Sequence, residues 1–440
     1  MAPGLFAVGL SAAALLTAGP PQVDVSRAAG PQTEASIAVD PVQPDVLVAA
    51  SQNPFTCAIR TYGSSDAGRT WTSSLLPTPD AVASHEALGR RPICAANEWV
   101  GIGRHHRQYV VYVAYAEALS PSGFTVLSAF RPSAASSWGS PVQVDPRHPG
   151  SADKPMLAVD DSSGSPHVGR VYVAWTRGVD PRQVVLSYSD DAGATWSTPS
   201  VLGNGWGVHL AIASDGSVFA AWWSSSGFLL IARSVDGGER FTAPTAFASL
   251  LVDPEFGVSN TPAEPGEPIH PDPSLDVDRS RSPYHGRVYA LDTRPTVHGR
   301  RVYVTAFSPA AKPLFTRVIG ATSVARDDFN ATIAVDQSSG IVWACFYRTG
   351  AGAKRRLAVY GCTTSRNGGQ TWSAFRAAAT VPSDESVRGA FVSVSGVDSG
   401  FASYDGLAVA NGVAHPIWTD TRDLGRLGEE IYTTRLRASR

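Results

Sequence analysis

Four arginines, Arg177, Arg294, Arg348 and Arg422, each stand seventh in a run rich in apolar, aromatic and β-branched residues. Guanidinium groups brought together from four separate segments suit a carboxylate-bearing ligand, because the planar fork gives a carboxylate two parallel hydrogen bonds. The same arginines read equally as caps of their own hairpins, with Asp292 and Asp420 close by as partners. A second set, Glu34, Asp153, His209, His270, Asp272, Asp328, Asn330, Tyr404 and Asp405, lies just ahead of another series of short apolar runs. These side chains offer acids, bases and cation ligands.

Groups so far apart along the chain can meet only if a repeated element carries them. The first strand of such a repeat reads Ile37-Ala38-Val39-Asp40, Leu157-Ala158-Val159-Asp160, Leu275-Asp276-Val277-Asp278, Ile333-Ala334-Val335-Asp336 and Leu407-Ala408-Val409-Ala410, with weaker copies at Val100 to Gly103 and Leu210 to Ala213. Second strands follow in step at Val46, Val111, Val171, Val218, Val288, Val342 and Pro416. Third strands and Gly-rich turns come after most of them, so each unit reads as a four-stranded antiparallel meander. Meanders of this kind hide their faces by packing radially. The expected fold is an all-β, seven-bladed β-propeller occupying residues 20–440 as one domain. Its last unit shows three strands, and Gln22 to Arg27 is expected to add the missing outer one and lock the ring. A six-bladed ring, with the segment from Trp99 to Ala118 as an insertion, is the alternative.

Composition agrees. Charged residues make up 17% of the 440, while 41 Gly, 32 Pro and 11 Trp are spread along the length, which fits many short strands and tight turns. The net charge of −2 and the lack of a basic stripe exclude an electrostatic footprint for nucleic acid. Residues 1–19 hold an apolar stretch from Leu5 to Leu16 and read as a signal peptide, although no basic residue precedes the stretch. No segment is long enough to span a bilayer, so a secreted, extracellular monomer is expected. In an exported chain four cysteines suggest two disulfides. Cys345 and Cys362 flank a hairpin and face one another across it, which leaves Cys57 to Cys94; four buried thiols are the alternative.

Four turns share the pattern S-x-D-x-G-x-T-W or nearly so, from Ser64 to Trp71, Ser189 to Trp196, Ser234 to Phe241 and Ser365 to Trp372. The third has Arg240-Phe241 in place of Thr-Trp, and the fourth has Asn367 in place of Asp. This resembles the Asp-box, or bacterial neuraminidase repeat, of the sialidase superfamily. Asp66, Asp191, Asp236 and Asn367 are expected to be structural, since turn chemistry accounts for each of them. The resemblance further implies an arginine triad for a substrate carboxylate, a Tyr nucleophile in the last blade paired with Glu, and an Asp acid/base. Tyr404 is similar in placement to that Tyr, and Asp153 or Glu34 is expected as the acid. Here the sequence also departs from the family. Its early Phe/Tyr-Arg-Ile-Pro segment is absent, Arg90-Arg91-Pro92-Ile93 holds similar letters in another order, and the family ring has six blades.

Strand direction places the Asp-box turns at one end of the ring and the possible site at the other. Arg177, Arg294, Arg348, Arg422, His209 and Asp272 are the expected substrate-binding residues, with Tyr404, Asp153 and Glu34 as the catalytic ones. Neither H-E-x-x-H, a pair of C-x-x-C motifs nor a phosphate-cradling Gly loop occurs, so no cofactor is expected. Calcium in the Asp-rich loops has no support from ligand spacing. The expectation is a sialidase-like propeller that binds or hydrolyses an anionic glycan. A non-catalytic binding propeller, or a lyase acting on uronic acids with His209 or Tyr404 as base, are the alternatives.

Overall fold

The computed structural model describes residues 20–77, 93–116, 124–148, 150–250, 259–320, 323–385 and 400–438. The expected signal peptide and Arg90-Arg91-Pro92 lie outside them. Six sheets of four antiparallel strands, and a last one of four extended by the short strand Leu436–Arg437, follow one another in chain order. Their first strands, Thr33–Val39, Ile93–Ile102, Ala152–Val159, Trp206–Ile212, Ser274–Val277, Asp328–Val335 and Gly406–Ala410, begin blades I to VII. Each packs against the next, and the last packs against the first, so the ring is closed around a central axis. Trp99 therefore belongs to a complete second blade of four strands and not to an insertion.

Side chains on the two faces of each sheet alternate, and both faces are buried between neighbouring blades. Val48, Ala50 and Ile59 of blade I interlock with Val100, Val110 and Tyr112 of blade II. Ile37, Leu47 and Tyr62 on the other face meet Ala408, Ile417 and Ile431 of blade VII. Each such Leu, Ile or Val contributes about 1.5–3 kcal/mol on burial, which explains why strands with apolar residues at nearly every position sit in the middle of the blades.

The ring is sealed by Gln22–Asp24, which pairs Gln22 with Thr434, Val23 with Thr433 and Asp24 with Tyr432. Val25 N–H continues the ladder to the Ile431 carbonyl at 2.9 Å, and Ser26 Oγ hydrogen-bonds the Glu430 carboxyl. Burial pushes the pKa of Glu430 up to about 8. The N-terminal strand thus supplies the outer position that the last repeat lacks.

The Ser-x-Asp turns join the third and fourth strands at the end of the ring where inner strands finish. Asp191 Oδ1 accepts the Thr195 N–H at 2.8 Å and Oδ2 accepts the Thr195 hydroxyl at 2.6 Å, while Ser189 Oγ accepts the Gly193 N–H at 2.8 Å. Asp66 forms the same clamp on Thr70, while Asn367 accepts the Thr371 N–H and donates from Nδ2 to the Thr371 hydroxyl. Asp236 takes the Arg240 N–H at 3.0 Å. The cysteines pair Cys57 with Cys94 and Cys345 with Cys362. The second pair is directly cross-strand in blade VI, and the first ties blade I to the inner strand of blade II.

Candidate functional site

A single sequence position, repeated once per blade, surrounds the axis at the end opposite the Ser-x-Asp turns. Three residues before the first apolar position of each inner strand stand Glu34, Asn97, Lys154, Gly207, Asp272, Asn330 and Tyr404. In blades I, II, III, IV and VI this position opens a β-bulge, where the inner strand gains one residue on its partner. The bulge residue has positive φ each time: Glu34 at 56°, Asn97 at 55°, Lys154 at 47°, Gly207 at 59° and Asn330 at 48°. Side chains in this conformation cost about 1–2 kcal/mol relative to ordinary backbone. Bulges re-aim side chains, and strain of this kind gathers at functional sites.

The position that bulges turn toward the axis frames a cavity. Lys154, Gly207, His209, His270, Asp272, Asn330 and Tyr404 line it, with Trp99 and Asp405 beside them. About 60 Å3 of it admits the centre of a water molecule, room for a few waters or one polar group of a ligand.

Lys154 and Asp272 form its electrostatic centre, with Nζ 2.9 Å from Oδ2 and the two side chains 13% and 19% exposed. Trp223 Nε1 donates to the other oxygen, Oδ1, at 2.6 Å. Burial works against both charges, but the attraction wins: Lys154 rises above its ordinary pKa and Asp272 falls below its own. Gly207 lies between them in ring order. A Cβ there would fall 1.9 Å from Asp272 Oδ1, so only glycine leaves room for the bridge. Lys154 also repels a proton from His270, which together with burial lowers that imidazole to about 4. Burial lowers His209 to about 4 as well. Its Nδ1 accepts the Leu275 N–H at 3.1 Å, which puts the proton of the neutral ring on Nε2.

Tyr404 stands on the acidic side. Its hydroxyl donates to the Glu98 main-chain oxygen at 2.9 Å and is also hydrogen-bonded to the Glu34 carboxyl. Burial, then the charges of Glu34, Glu98 and Asp153, raise its pKa well above the ordinary value. Asp153 is raised by burial, with Lys154 partly offsetting the effect, and Asn97 Nδ2 donates to its Oδ1 at 3.2 Å. Glu98 has no exposed surface, and burial beside Glu34 holds it protonated well above the usual carboxylate range. Trp99 packs on both Tyr404 and His209, with ring centroids 5.4 and 5.3 Å apart.

The structure thus gathers Tyr404, Glu34, Asp153, His209, His270, Asp272, Asn330 and Asp405 around one axis. It places the four strand-end arginines elsewhere. Arg294 and Arg422 fork onto Asp292 and Asp420, the partners two residues away. Arg348 makes the same fork with Asp328 at 2.8 and 2.9 Å, so Asp328 is engaged too. Arg177 reaches Asp145 at 3.3 Å and Gln183 at 3.2 Å. Arg294, Arg348 and Arg422 also lie over Tyr303, Phe375 and Tyr432. None of the four lines the axial cavity. Lys154, Glu98 and Trp223 were not legible as site residues from their types alone. For Lys154 the signal was its offset from Leu157, the same as that of Tyr404 from Leu407.

No family model and no curated protein matches the sequence. Solved structures do. The leech intramolecular trans-sialidase, complexed with 2,7-anhydro-Neu5Ac, is 10% identical and superposes with a TM-score of 0.55 over 81% of this chain and 72% of that one. The fold is that of a sialidase-like propeller. The intramolecular trans-sialidase of Ruminococcus gnavus is 9% identical over 71% of this chain and 89% of that one, at a TM-score of 0.48. A protein of unknown function from Dyadobacter fermentans is 16% identical over 78% and 96%, at 0.47. Similarities of that size add nothing to the fold assignment. Among the described residues of this sialidase-like propeller, no helix is long and apolar enough to cross a membrane, and no group of three or more His, Cys, Asp or Glu is arranged to hold a metal ion.

Proposed function

We propose that this is an exported glycan-directed propeller that binds a sugar over the mouth of its axial cavity, with one polar group of the ligand entering it, and hydrolyses a glycosidic bond there. The observation that carries the reading is the hydrogen bond between Tyr404 and Glu34, with Asp153 near enough to raise the pKa of the phenol. One O–H cannot serve both the Glu98 carbonyl and a carboxylate. Moving that proton to Glu34 is the step that makes the phenol oxygen a nucleophile. Tyr404 Oη then bonds to the anomeric carbon as the glycosidic bond breaks, and the leaving oxygen takes a proton from Asp153, which burial keeps available as an acid. Asp153, now ionised, removes a proton from the water that cleaves the glycosyl–tyrosine bond, and Tyr404 recovers its proton from Glu34.

Lys154 is the cation lining this cavity among the described residues. An anionic sugar would bring its carboxylate to Lys154 in competition with Asp272. Release of a fluorophore from a sialyl reporter, lost in Tyr404→Phe, tests the reading; no release from any glycosyl reporter contradicts it.

A second reading, sugar binding without cleavage, is favoured by the arginines. All four strand-end guanidinium groups are held by neighbouring side chains, so none is presented to a substrate carboxylate. Binding by the wild type with no turnover supports this reading. A rise in ultraviolet absorbance with uronate polymers would instead indicate a lyase.

A further inference from the structure

Blade II breaks the repeat at one buried place on the flank of the ring. In blades I, III, IV and VI the third strand ends on the turn serine, Ser64, Ser189, Ser234 or Ser365, opposite an aliphatic residue, Leu47, Val171, Val218 or Val342. Blade II has Arg131 opposite Gln108 instead. Gln108 has no exposed surface and Arg131 is 7% exposed. Blade V also departs from the serine, with Phe307 opposite Val288, but keeps the place apolar; two polar side chains buried there violate the local rule without serving the sheet, and such violations mark function.

Arg131 has no carboxylate partner among the described residues. Its Nε and Nη2 both donate to Gln108 Oε1, at 2.8 and 2.6 Å, and its plane lies 4.6 Å from the centroid of the Trp138 ring. Two of the five N–H donors of a guanidinium are thereby used, by a neutral acceptor. A buried cation without a counter-anion is expensive, and burial lowers its pKa accordingly. Every strand-end arginine discussed above is, by contrast, neutralised by an aspartate.

Beside Arg131 a groove runs between the outer strand of blade I and the loop that follows the third strand of blade II. Its volume of about 340 Å3, against about 60 Å3 at the axial cavity, lies in the range of small-molecule sites. Ser73, Ser74, Ser136 and Ser137 line its walls, and Trp138 and Arg131 form its base. Trp138 is pinned by Nε1 donating to Thr61 Oγ1 at 2.9 Å. Gly63 adds no side chain to the opposite wall.

We infer that this groove is a second binding site, away from the axis, for a carboxylate-bearing saccharide. The carboxylate supplies a counter-charge that no described residue gives Arg131, through the guanidinium donors left over from Gln108, and the serine hydroxyls match the hydroxyls of a sugar ring. The choice of a saccharide, as opposed to another carboxylate, rests on the glycan-directed reading of the axial site.

Calorimetric titration of the full chain with methyl glucuronide, methyl glucoside and sodium sulfate tests the site. The glucuronide is expected to bind, with the glucoside and sulfate at least tenfold weaker. Arg131→Gln is expected to remove one glucuronide site from the stoichiometry. Ser137→Trp, which fills the groove from its exposed wall and leaves Arg131 untouched, is expected to do the same with an unchanged melting temperature. Tyr404→Phe is expected to keep the site that these two variants lose. The inference is overturned if the wild type does not bind the glucuronide, if sulfate binds as well, if Arg131→Gln and Ser137→Trp leave the stoichiometry unchanged, or if Tyr404→Phe loses the same site. Reporter hydrolysis that survives such a failure removes the groove alone and leaves the axial reading standing.

Discussion

Lys154 and Asp272, 118 residues apart, meet at 2.9 Å across the axis end of the ring, and the residue between them in ring order is Gly207. Blades III and V can join hands only because blade IV contributes no side chain at that position. The bridge fixes the cation that faces the cavity among the described residues, and Lys154, against Asp272, depresses the proton affinity of His270.

Gly207→Ala is the sharpest probe of that relationship. Its φ of 59° and the 1.9 Å approach of a Cβ to Asp272 both oppose the substitution. A loss of about 1–3 kcal/mol is expected in denaturant unfolding, together with a His270 pKa altered by the displaced pair, read by NMR titration.

Breaking the pair from one side should be worse than removing it. Asp272→Ala leaves Lys154 buried and alone, for an expected loss of about 3–5 kcal/mol. Lys154→Met combined with Asp272→Ala is expected to cost less than the sum of the single changes. A double-mutant cycle by chemical unfolding measures the coupling.

Stability should depend on pH in two opposed windows. His209 and His270 titrate at about 4 when folded, below the ordinary 6.5, so the unfolded chain binds more protons between those values and stability falls as pH drops through them. Glu430 titrates at about 8 when folded, above the ordinary 4.5, so the folded chain holds the extra proton and stability falls as pH rises toward 8. Glu430→Gln is expected to remove the second loss, on the order of 1–3 kcal/mol, and leave the first, as read from melting temperatures between pH 4 and 9.

The strand-end arginines should act on stability more than on binding. Arg348→Met leaves Asp328, which has no exposed surface, with only the longer contact to Arg326 at 3.9 Å, at an expected cost of about 1–3 kcal/mol. Sugar affinity at the axial cavity is expected to stay within about twofold, a change worth only ~0.4 kcal/mol, measured by titration under folded conditions.

Much of this architecture was legible because it is periodic. Val-rich strands ending in Asp, recurring in step with Ser-x-Asp turns, pointed to seven blades, the end of the ring where the axial cavity lies, and the strand at Gln22 that closes it. The cysteines followed from the same register. Tyr404, Glu34 and Asp272 could be found because they precede inner strands. The arginine partners were only half legible. Asp292 and Asp420 are two residues from their arginines, but Asp145 and Asp328 reach theirs across strands and turns that no local pattern announces. The hairpin formed by Ser259–Thr261 and Glu264–Ile269 has no counterpart among the described residues of other units, so periodicity could not foretell it. It delivers His270 to the cavity and hydrogen-bonds the Phe401 N–H through Glu264.

The most direct measurement is steady-state turnover of glycosyl reporters, a sialyl one first, by the wild type, Tyr404→Phe and Glu34→Gln. Turnover by the wild type that falls at least ~10²-fold in both variants, with melting temperatures retained, is the predicted result. Turnover unchanged by either substitution, or no turnover of any reporter by the wild type, would contradict a hydrolytic site built on Tyr404 and Glu34.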